Sequence, residues 1–525
     1  MRSVAAIALL AAVVQAEGLV DGLPDDVLFH VGTRDLGRLK ARARQGPLGA
    51  LWSDPALRPL TREVEARFAP PRPGDVGALD LLALVDGEVL FAGVPEGDGF
   101  ATLGLIDCGP RTLPFRSMLD LYHAQQAREL RIVETRERCD GRTIHVRRHG
   151  RDVQAHAWLG RVVCFSDSVA ALRALLLRRP AFIVAPAAEA DLHAYVDPSF
   201  WLRRWGLDER SCEVLGLDRL RAISGDLTLL DDGVRTRVRV EMTGGLLRLL
   251  RPDAADLGPA PFLPRGVGAA LTVSLDWTEL ARLVRTLRPE VDAEAALLRR
   301  VGIDLFGVVR ALGDELTIAF LPPAWARSAG TETVRDPRAP WGDLVVLMKL
   351  ERPRVVTRLL ERVDELAAVP RTDYHGVPIR VLLGEPLGVV ALLDDHLVLT
   401  TRLDAVQAVI RAWRRGPSGL RRAAPYRRAS QRVPRERSAF AFLDPHARSG
   451  PSLTWMVLRQ GLAGHDLAGV MDAFEKYRDV SSFALSREDD GVVLTWFMGV
   501  RRYQPMPPHA PPPRAARATV PPPPQ

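Results

Sequence analysis

The sequence predicts an α+β fold of two homologous tandem halves, each an antiparallel sheet with helices packed on it. Three observations carry this expectation. The first is an internal echo: residues from about Asp25 to Gly245 recur, in the same order, from about Gly266 to Val500. LDLLALVDGEVLFAGVP (Leu79 to Pro95) is answered by IDLFGVVRALGDELTIAFLP (Ile303 to Pro322), and HAYVDP (His193 to Pro198) by FAFLDP (Phe440 to Pro445). The second is a pair of hairpin signals, Asp231-Asp232-Gly233 and Asp489-Asp490-Gly491, each between apolar runs. An aspartate-glycine step supplies the positive backbone angles that a tight hairpin needs, and tight hairpins join antiparallel strands. The third is that strands and helices come in blocks rather than in single alternation, which argues against a parallel α/β sheet.

Each half reads as the same series. A short strand opens it, at Val27 to Val31 and at Ala270 to Leu275. Helices follow, near Asp35 to Ala43 and Pro59 to Phe68, and near Thr278 to Leu287 and Asp292 to Val301. A strand pair comes next: GEVLFAGV with ATLGLID, and DELTIAFL with DLVVLMKL. A long amphipathic helix then places Met118, Leu119, Tyr122 and Gln126 on one face. Its counterpart repeats Val355, Val356, Leu359, Leu360, Val363 and Leu366 at the three- and four-residue helix spacing. Alternating strands follow at Thr143 to Val146 and Ile379 to Val381, behind turns at Gly141 and Gly376. A strand and helix occupy Val162 to Leu177 and Leu397 to Trp413. The last third of each half opens with the HAYVDP or FAFLDP strand, passes through helices and ends in the hairpin.

Before the first half, Arg2 and the apolar run Val4 to Val14 have the form of a signal peptide, with small residues at Val14 and Ala16. Cleavage is expected after Ala16, so residues 1–16 are assigned to the signal and the mature protein to the periplasm or the exterior. No later run reaches eighteen uninterrupted apolar residues, so no membrane span is expected after cleavage. The first half is assigned to 17–250, a proline-rich link to 251–265, the second half to 266–502 and a polyproline-like tail to 503–525.

The charge of +7 is weak evidence for a nucleic-acid partner. All but three of the 71 basic residues are arginine, and 64 acidic residues are mixed among them. Asparagine is absent, so no N-linked glycosylation site exists. Four cysteines, Cys108, Cys139, Cys164 and Cys212, lie in the first half. An exported protein permits disulfides, and four cysteines allow three pairings among which the sequence does not choose. Cys164, within the apolar RVVCF, reads as a buried free thiol.

The duplication filters candidate sites, because a shared site survives in both halves. His145, His149 and His156 are the densest histidine group. Histidines can ligate zinc or copper, but the second half has no matching set, and they read as surface strand histidines. Asp197-Pro198 and Asp444-Pro445 read as helix starts, with aspartate as cap and proline at the first helical position. Asp80 and Asp304 read as caps of short helices, and Glu88 and Glu315 as residues at hydrated strand ends. Acid–base chemistry would need a convergent partner in both halves, and none follows them. Gly266-Val267-Gly268 precedes a strand instead of following one, so it is no dinucleotide loop. Phosphate-loop, serine-hydrolase, zinc-protease and calcium-loop motifs are absent. The arginine-rich segment Arg411 to Arg437 is suited to an anionic surface or an envelope protein, or else is a solvated helix and link.

Leu23-Pro24, Asp25-Asp26, the strand Val27 to Val31 and Leu51-Trp52-Ser53-Asp54-Pro55 are similar to the opening of uncharacterised exported proteins of GC-rich bacteria that carry a tandem domain of unknown function. Gly419 to Asp444 resembles their passage into the later strand. The resemblance covers most of the mature chain and implies no activity, cofactor or catalytic residue. The expectation is an exported, non-catalytic binding or scaffold module of the cell envelope. The alternatives are a periplasmic carrier of a lipid or other apolar ligand, and a hydrolase whose site survives in one half only. No catalytic, cofactor-binding or metal residue is assigned.

Overall fold

The computed structural model describes residues 19–501, apart from 179–189, 206–211, 258–261, 322–342, 383–387, 446–475 and a few isolated positions. The expected signal segment and proline-rich tail therefore lie outside the described residues.

The first set of strands is β1 (Phe29–Thr33), β2 (Val89–Glu96), β3 (Gly99–Asp107), β4 (Val133–Cys139), β5 (Arg142–His149), β6 (Asp152–Leu159), β7 (Val162–Ser166), β8 (Leu192–Val196), β9 (Leu220–Leu230) and β10 (Gly233–Met242). After the two-residue β11 (Ala254–Ala255) come β12 (Ala269–Ser274), β13 (Leu312–Leu321), β14 (Asp343–Leu350), β15 (Arg371–Tyr374), β16 (Val377–Val381), β17 (Val389–Leu393) and β18 (His396–Thr400). The two-residue β19 (Glu436–Arg437) pairs with β11, and β20 (Ala439–Leu443), β21 (Arg478–Glu488) and β22 (Gly491–Val500) close the series.

Twenty of these strands form one antiparallel sheet. Followed by hydrogen-bonded neighbours, it runs β4-β5-β6-β7-β3-β2-β1-β8-β9-β10. It continues β22-β21-β20-β12-β13-β14-β18-β17-β16-β15. The second list is the first in mirror order, joined through β10 and β22. The join has a specific register: Gly233 pairs with Gly499, and Glu241 with Gly491. Gly233 and Gly491 each open the second strand of a hairpin, so the contact is self-complementary, with a local pseudo-two-fold axis at the Arg237–Thr495 pair. The outermost strands β4 and β15 carry exposed charges along their free edges, which discourages further pairing.

The helices are α1 (Leu36–Gln45), α2 (Pro47–Trp52), α3 (Arg58–Phe68), α4 (Ala78–Ala83), α5 (Thr112–Glu129), α6 (Val169–Leu177) and α7 (Pro198–Trp205). Beyond the join lie α8 (Trp277–Leu287), α9 (Val291–Arg300), α10 (Leu305–Val309), α11 (Pro353–Ala367), α12 (Leu403–Arg414) and α13 (Ala424–Ser430). Strand side chains alternate between faces, and helices cover both. Helix α6 buries Leu172, Leu175 and Leu176 against Ile144, Val146, Ala157 and Cys164. Helix α12 buries Val406, Val409 and Ile410 against Val345, Ile379, Ala391 and Val398. Each such large apolar side chain is worth about 1.5–3 kcal/mol when fully buried, so Val409→Asp would unseat α12. On the other face α5 packs Phe115 and Leu119 onto Phe91, Val163 and Phe165. There α11 packs Val356 and Leu360 onto Val390, Leu397 and Leu399.

Local turn chemistry matches between the sets. Asp140-Gly141 and His375-Gly376 both take positive φ, as a two-residue hairpin turn requires. The stretch between the sets is partly built into the core, because Leu257, Phe262 and Leu263 are buried. The sequence reading places no strand at β4 or β6, nor at their counterparts β15 and β17. The residues of β4, Val-Glu-Thr-Arg-Glu-Arg-Cys, carry no apolar alternation because the strand is an exposed edge.

Candidate functional site

The two faces of the sheet differ at the join. On β10, Val234, Thr236, Val238 and Val240 share one face, and Arg235, Arg237, Arg239 and Glu241 the other. Across the join the apolar row meets Met498, Trp496, Leu494 and Val492. Leu227 flanks Thr236 on β9, and Phe483 flanks Trp496 on β21. The ends of this apolar face are covered. Met498 packs near Leu51 of α2, where Lys476 Nζ donates to Asp54 Oδ2 at 2.7 Å. At the other end Val492 packs on Leu247. Between these brackets Leu227, Val238, Phe483 and Leu494 are part-exposed, and Trp496 is 52% exposed. The opposite face is tied by charge: Arg239 contacts Asp490 at 2.8 Å and Glu488 at 3.0 Å.

Strand register carries this same face outward under both long helices. Beneath α5 lies a group of three histidines. His145 on β5 and His156 on β6 are cross-strand partners whose rings stack with centroids 4.8 Å apart. His123 of α5 lies 5.1 Å from His156. Burial lowers His156 to about 3, helped by the charges of its histidine neighbours, Arg147 and Arg116. Burial likewise lowers His123 to about 3, with Arg147 adding to it, and lowers His145, with Arg136 adding. All three are therefore neutral at pH 7. Arg147, only 4% exposed, closes the seam: Nε donates to Glu134 Oε1 at 2.9 Å, Nη1 to Gln126 Oε1 at 2.8 Å and Nη2 to the His123 carbonyl at 3.0 Å. Among the described residues no group of three or more His, Cys, Asp or Glu side chains is placed to hold a metal ion. His149 stands apart, exposed at the end of β5 and paired with Asp152. The expectation of three surface strand histidines thus fails for His156, which is buried, and His123 is the member that sequence spacing did not find.

A second histidine pair lies on the opposite face. His30 on β1 and His193 on β8 are buried with ring centroids 5.9 Å apart, and among the described residues neither ring has a hydrogen-bond partner. Burial lowers them to about 4 and about 3.

The remaining candidates take structural places. An open cleft of about 700 Å³ beside the ends of β2, β3 and β7 includes Asp86, Glu88, Asp107, Arg111 and Arg161 in its lining. These charges satisfy one another or the backbone: Arg111 pairs with Asp86 at 3.2 Å, Arg161 with Asp107 at 2.7 Å, and Glu88 Oε1 accepts from the Leu19 amide at 3.0 Å. Glu315 sits within β13, and burial raises its pKa against the charges of Arg421, His396 and Lys349. It is not at a hydrated end. Asp197 accepts from the Ser199 amide at 2.8 Å at the start of α7, as a cap does. Asp444 follows β20, and its amide donates to the Gly268 carbonyl. Asp304 precedes α10 as its cap residue. Asp80 is instead the third residue of α4 and reaches back to the Gly77 amide at 2.8 Å.

Five of the ten arginines from Arg411 to Arg437 are tied to named partners in the fold. Arg411 donates to the Tyr374 hydroxyl at 2.7 Å, Arg414 to the His375 carbonyl and Arg428 to Asp479 at 3.0 Å. Arg432 reaches Asp232, and Arg437 is buried with its Nε on the Leu257 carbonyl. All four cysteines are free. Burial pushes the Cys108 and Cys164 thiols up to about 12, far from the range of a reactive thiolate.

No protein-family profile matches the chain, and no curated protein does. Among solved structures, crystal form IV of TP0453 aligns at 10% identity over 43% of this chain and 81% of its own, with a TM-score of 0.25. Crystal form I of TP0453 aligns at 9% identity over 44% and 81%, with a TM-score of 0.23. Likeness at that level carries no argument about this chain.

Proposed function

We propose that the chain is an exported, non-catalytic binding or scaffold module of the cell envelope. Its docking surface is the apolar patch around Trp496, and its occupant an apolar segment of a partner protein. The observation that carries this reading is the one-sided apolar face at the join, with a large aromatic side chain half open to water. The four central strands are about 19 Å across and the gap between the bracketing elements about five residues long, or roughly 17 Å. That gives a footprint of roughly 300 Å², at the lower end of the largest apolar patches on monomers, which are often functional. It suits the apolar stripe of a helix, about 10–12 Å in diameter, better than a small ligand that must be enclosed. Acid–base catalysis is disfavoured by the chemistry of the groups at hand. The buried histidines that would serve as bases are held neutral at about 3–4, well below the useful range near 7.

The chain also reads as a tandem duplication, belonging with the exported proteins whose opening it resembles. Support comes from the mirrored strand order and from the self-complementary β10–β22 register, the arrangement expected when a two-fold dimer is fused into one chain.

A photo-cross-linking residue at position 496 of the exported chain tests the docking surface, with the same residue at position 237 on the opposite face as control. One protein adduct specific to position 496 is the expected result. Identical adducts from both positions, or none, would remove the surface. A stoichiometric small molecule released by solvent extraction would transfer the proposal to the carrier reading.

A further inference from the structure

The seam beneath α5 joins three histidines to a sheet face from which the equivalent helix, α11, is held without any. The positions correspond through the strand pairings. His145 pairs with His156 on β5 and β6, and Arg380 pairs with Val390 on β16 and β17. His123 lies one turn beyond the buried Leu119, and Asp364 one turn beyond the buried Leu360. Under α11, therefore, Asp364 accepts from Arg380 Nε at 2.8 Å and from Arg371.

We propose that the α5 seam is an acid-release device: protonation of His123, His145 and His156 drives α5 off β5, β6 and β7, while α11 stays seated. Arg147 already places a buried positive charge in the seam, and Arg116 stands over the Trp158 ring at 4.3 Å. The groups that face the three rings are Arg116, Asp120, Tyr122 and Gln126 from α5, Glu134 and Arg136 from β4, and Arg147 from β5. Of the two carboxylates among them, Glu134 is already engaged by Arg147. Three further positive charges in this confined place repel one another and Arg147, and release into water relieves them. The direction follows from linkage. Burial holds these rings below their ordinary value, so the released state binds more protons. The seam is fully formed above about pH 6.5 and weakens as pH falls toward about 3. Release would uncover Phe91, Ile106 and Phe165, which α5 covers now. By strand register Phe91 and Phe165 lie on the same face as the Leu494–Trp496 row.

The test is amide hydrogen exchange on the intact chain between pH 7 and pH 4.5, read as protection factors for α5 and α11. The expected result is a fall of at least about a hundredfold for α5, since pH 4.5 lies two units below the ordinary histidine pKa and each released ring adds up to that much, with α11 changing by less than about threefold. In the exchanged seam His123→Asp, His145→Arg, His156→Val, the acid loss at α5 should vanish. The milder single change His156→Phe should reduce it by at least about tenfold, and it keeps a ring in place should the triple variant fail to fold. Equal loss at both helices would overturn the proposal, as would an unchanged loss in His156→Phe. So would loss that begins at β1 and β8, around His30 and His193, and reaches α5 only with global unfolding.

Discussion

Helices α5 and α11 occupy the same place in two matching strand orders and cover the same face of one sheet, yet different chemistries seat them. Both use one pair of buried apolar residues a turn apart, Phe115 with Leu119 and Val356 with Leu360. The next turn inward is where they part. Under α11 a buried carboxylate gathers two guanidinium groups. Under α5 a buried guanidinium is met by Glu134, Gln126 and a carbonyl, and the rest of the space is filled by histidine rings. Apolar contact is thus enough to place a helix, while the polar group beside it sets the conditions under which it stays. An ion pair fails when one partner is removed. A histidine stack fails when protons are added.

The largest expected effect breaks the α11 side. Asp364→Ala leaves Arg380 buried without its carboxylate, and removing one partner of a buried pair costs about 3–5 kcal/mol. His123→Ala, one turn beyond Leu119 in α5, removes a neutral ring with no ion pair, and about 1 kcal/mol is expected. Urea unfolding at pH 7.5 checks both. Equal costs would mean that the two seams do not differ in kind.

The second effect appears only in acid. His156→Phe keeps an aromatic side chain next to Phe165 and removes a titrating group. With a folded value of about 3 against an unfolded value near 6.5, wild-type His156 contributes nothing adverse at pH 7.5 and costs about 2 kcal/mol at pH 5. The variant should therefore gain about that much over wild type at pH 5, and match it within about 1 kcal/mol at pH 7.5. A constant difference across the range would show that packing, not protonation, separates the two proteins.

Much of this architecture was legible in the sequence, and the reasons differ by element. The Asp-Gly turns, the apolar strand pairs and the helix spacing of Val355 to Leu366 are local signals, and they placed most of the sheet and both long helices. The edge strand β4 was not legible, because a strand with one neighbour and two wet faces needs no apolar alternation. The polar seams were not legible either. His123 lies 22 residues before His145 and on a different kind of element, so no spacing rule links them; only the seating of α5 on β5 and β6 does. Asp364 reads in isolation as one more charge on an amphipathic helix. The join between β10 and β22 depends on a pairing some 250 residues apart in sequence, and no local pattern announces it. Filtering sites by survival in both halves discarded the histidines on sound grounds for a shared site. It also hid the fact that their very absence from the second set is what distinguishes the two helices.

His149 separates enclosure from net charge. His149 belongs to the same strand as His145 and is four residues from it, but it stands exposed at the strand's end, opposite Asp152 in the strand register. If a histidine matters for acid sensitivity only when its ring is enclosed between helix and sheet, then His149→Ala should change stability by less than about 0.5 kcal/mol at every pH from 7 to 4, as surface substitutions usually do. Thermal melts across that range are sufficient to measure it. A shift at pH 5 comparable to that of His156→Phe would mean that net positive charge on the first set of strands, and not enclosure beneath α5, governs its response to acid.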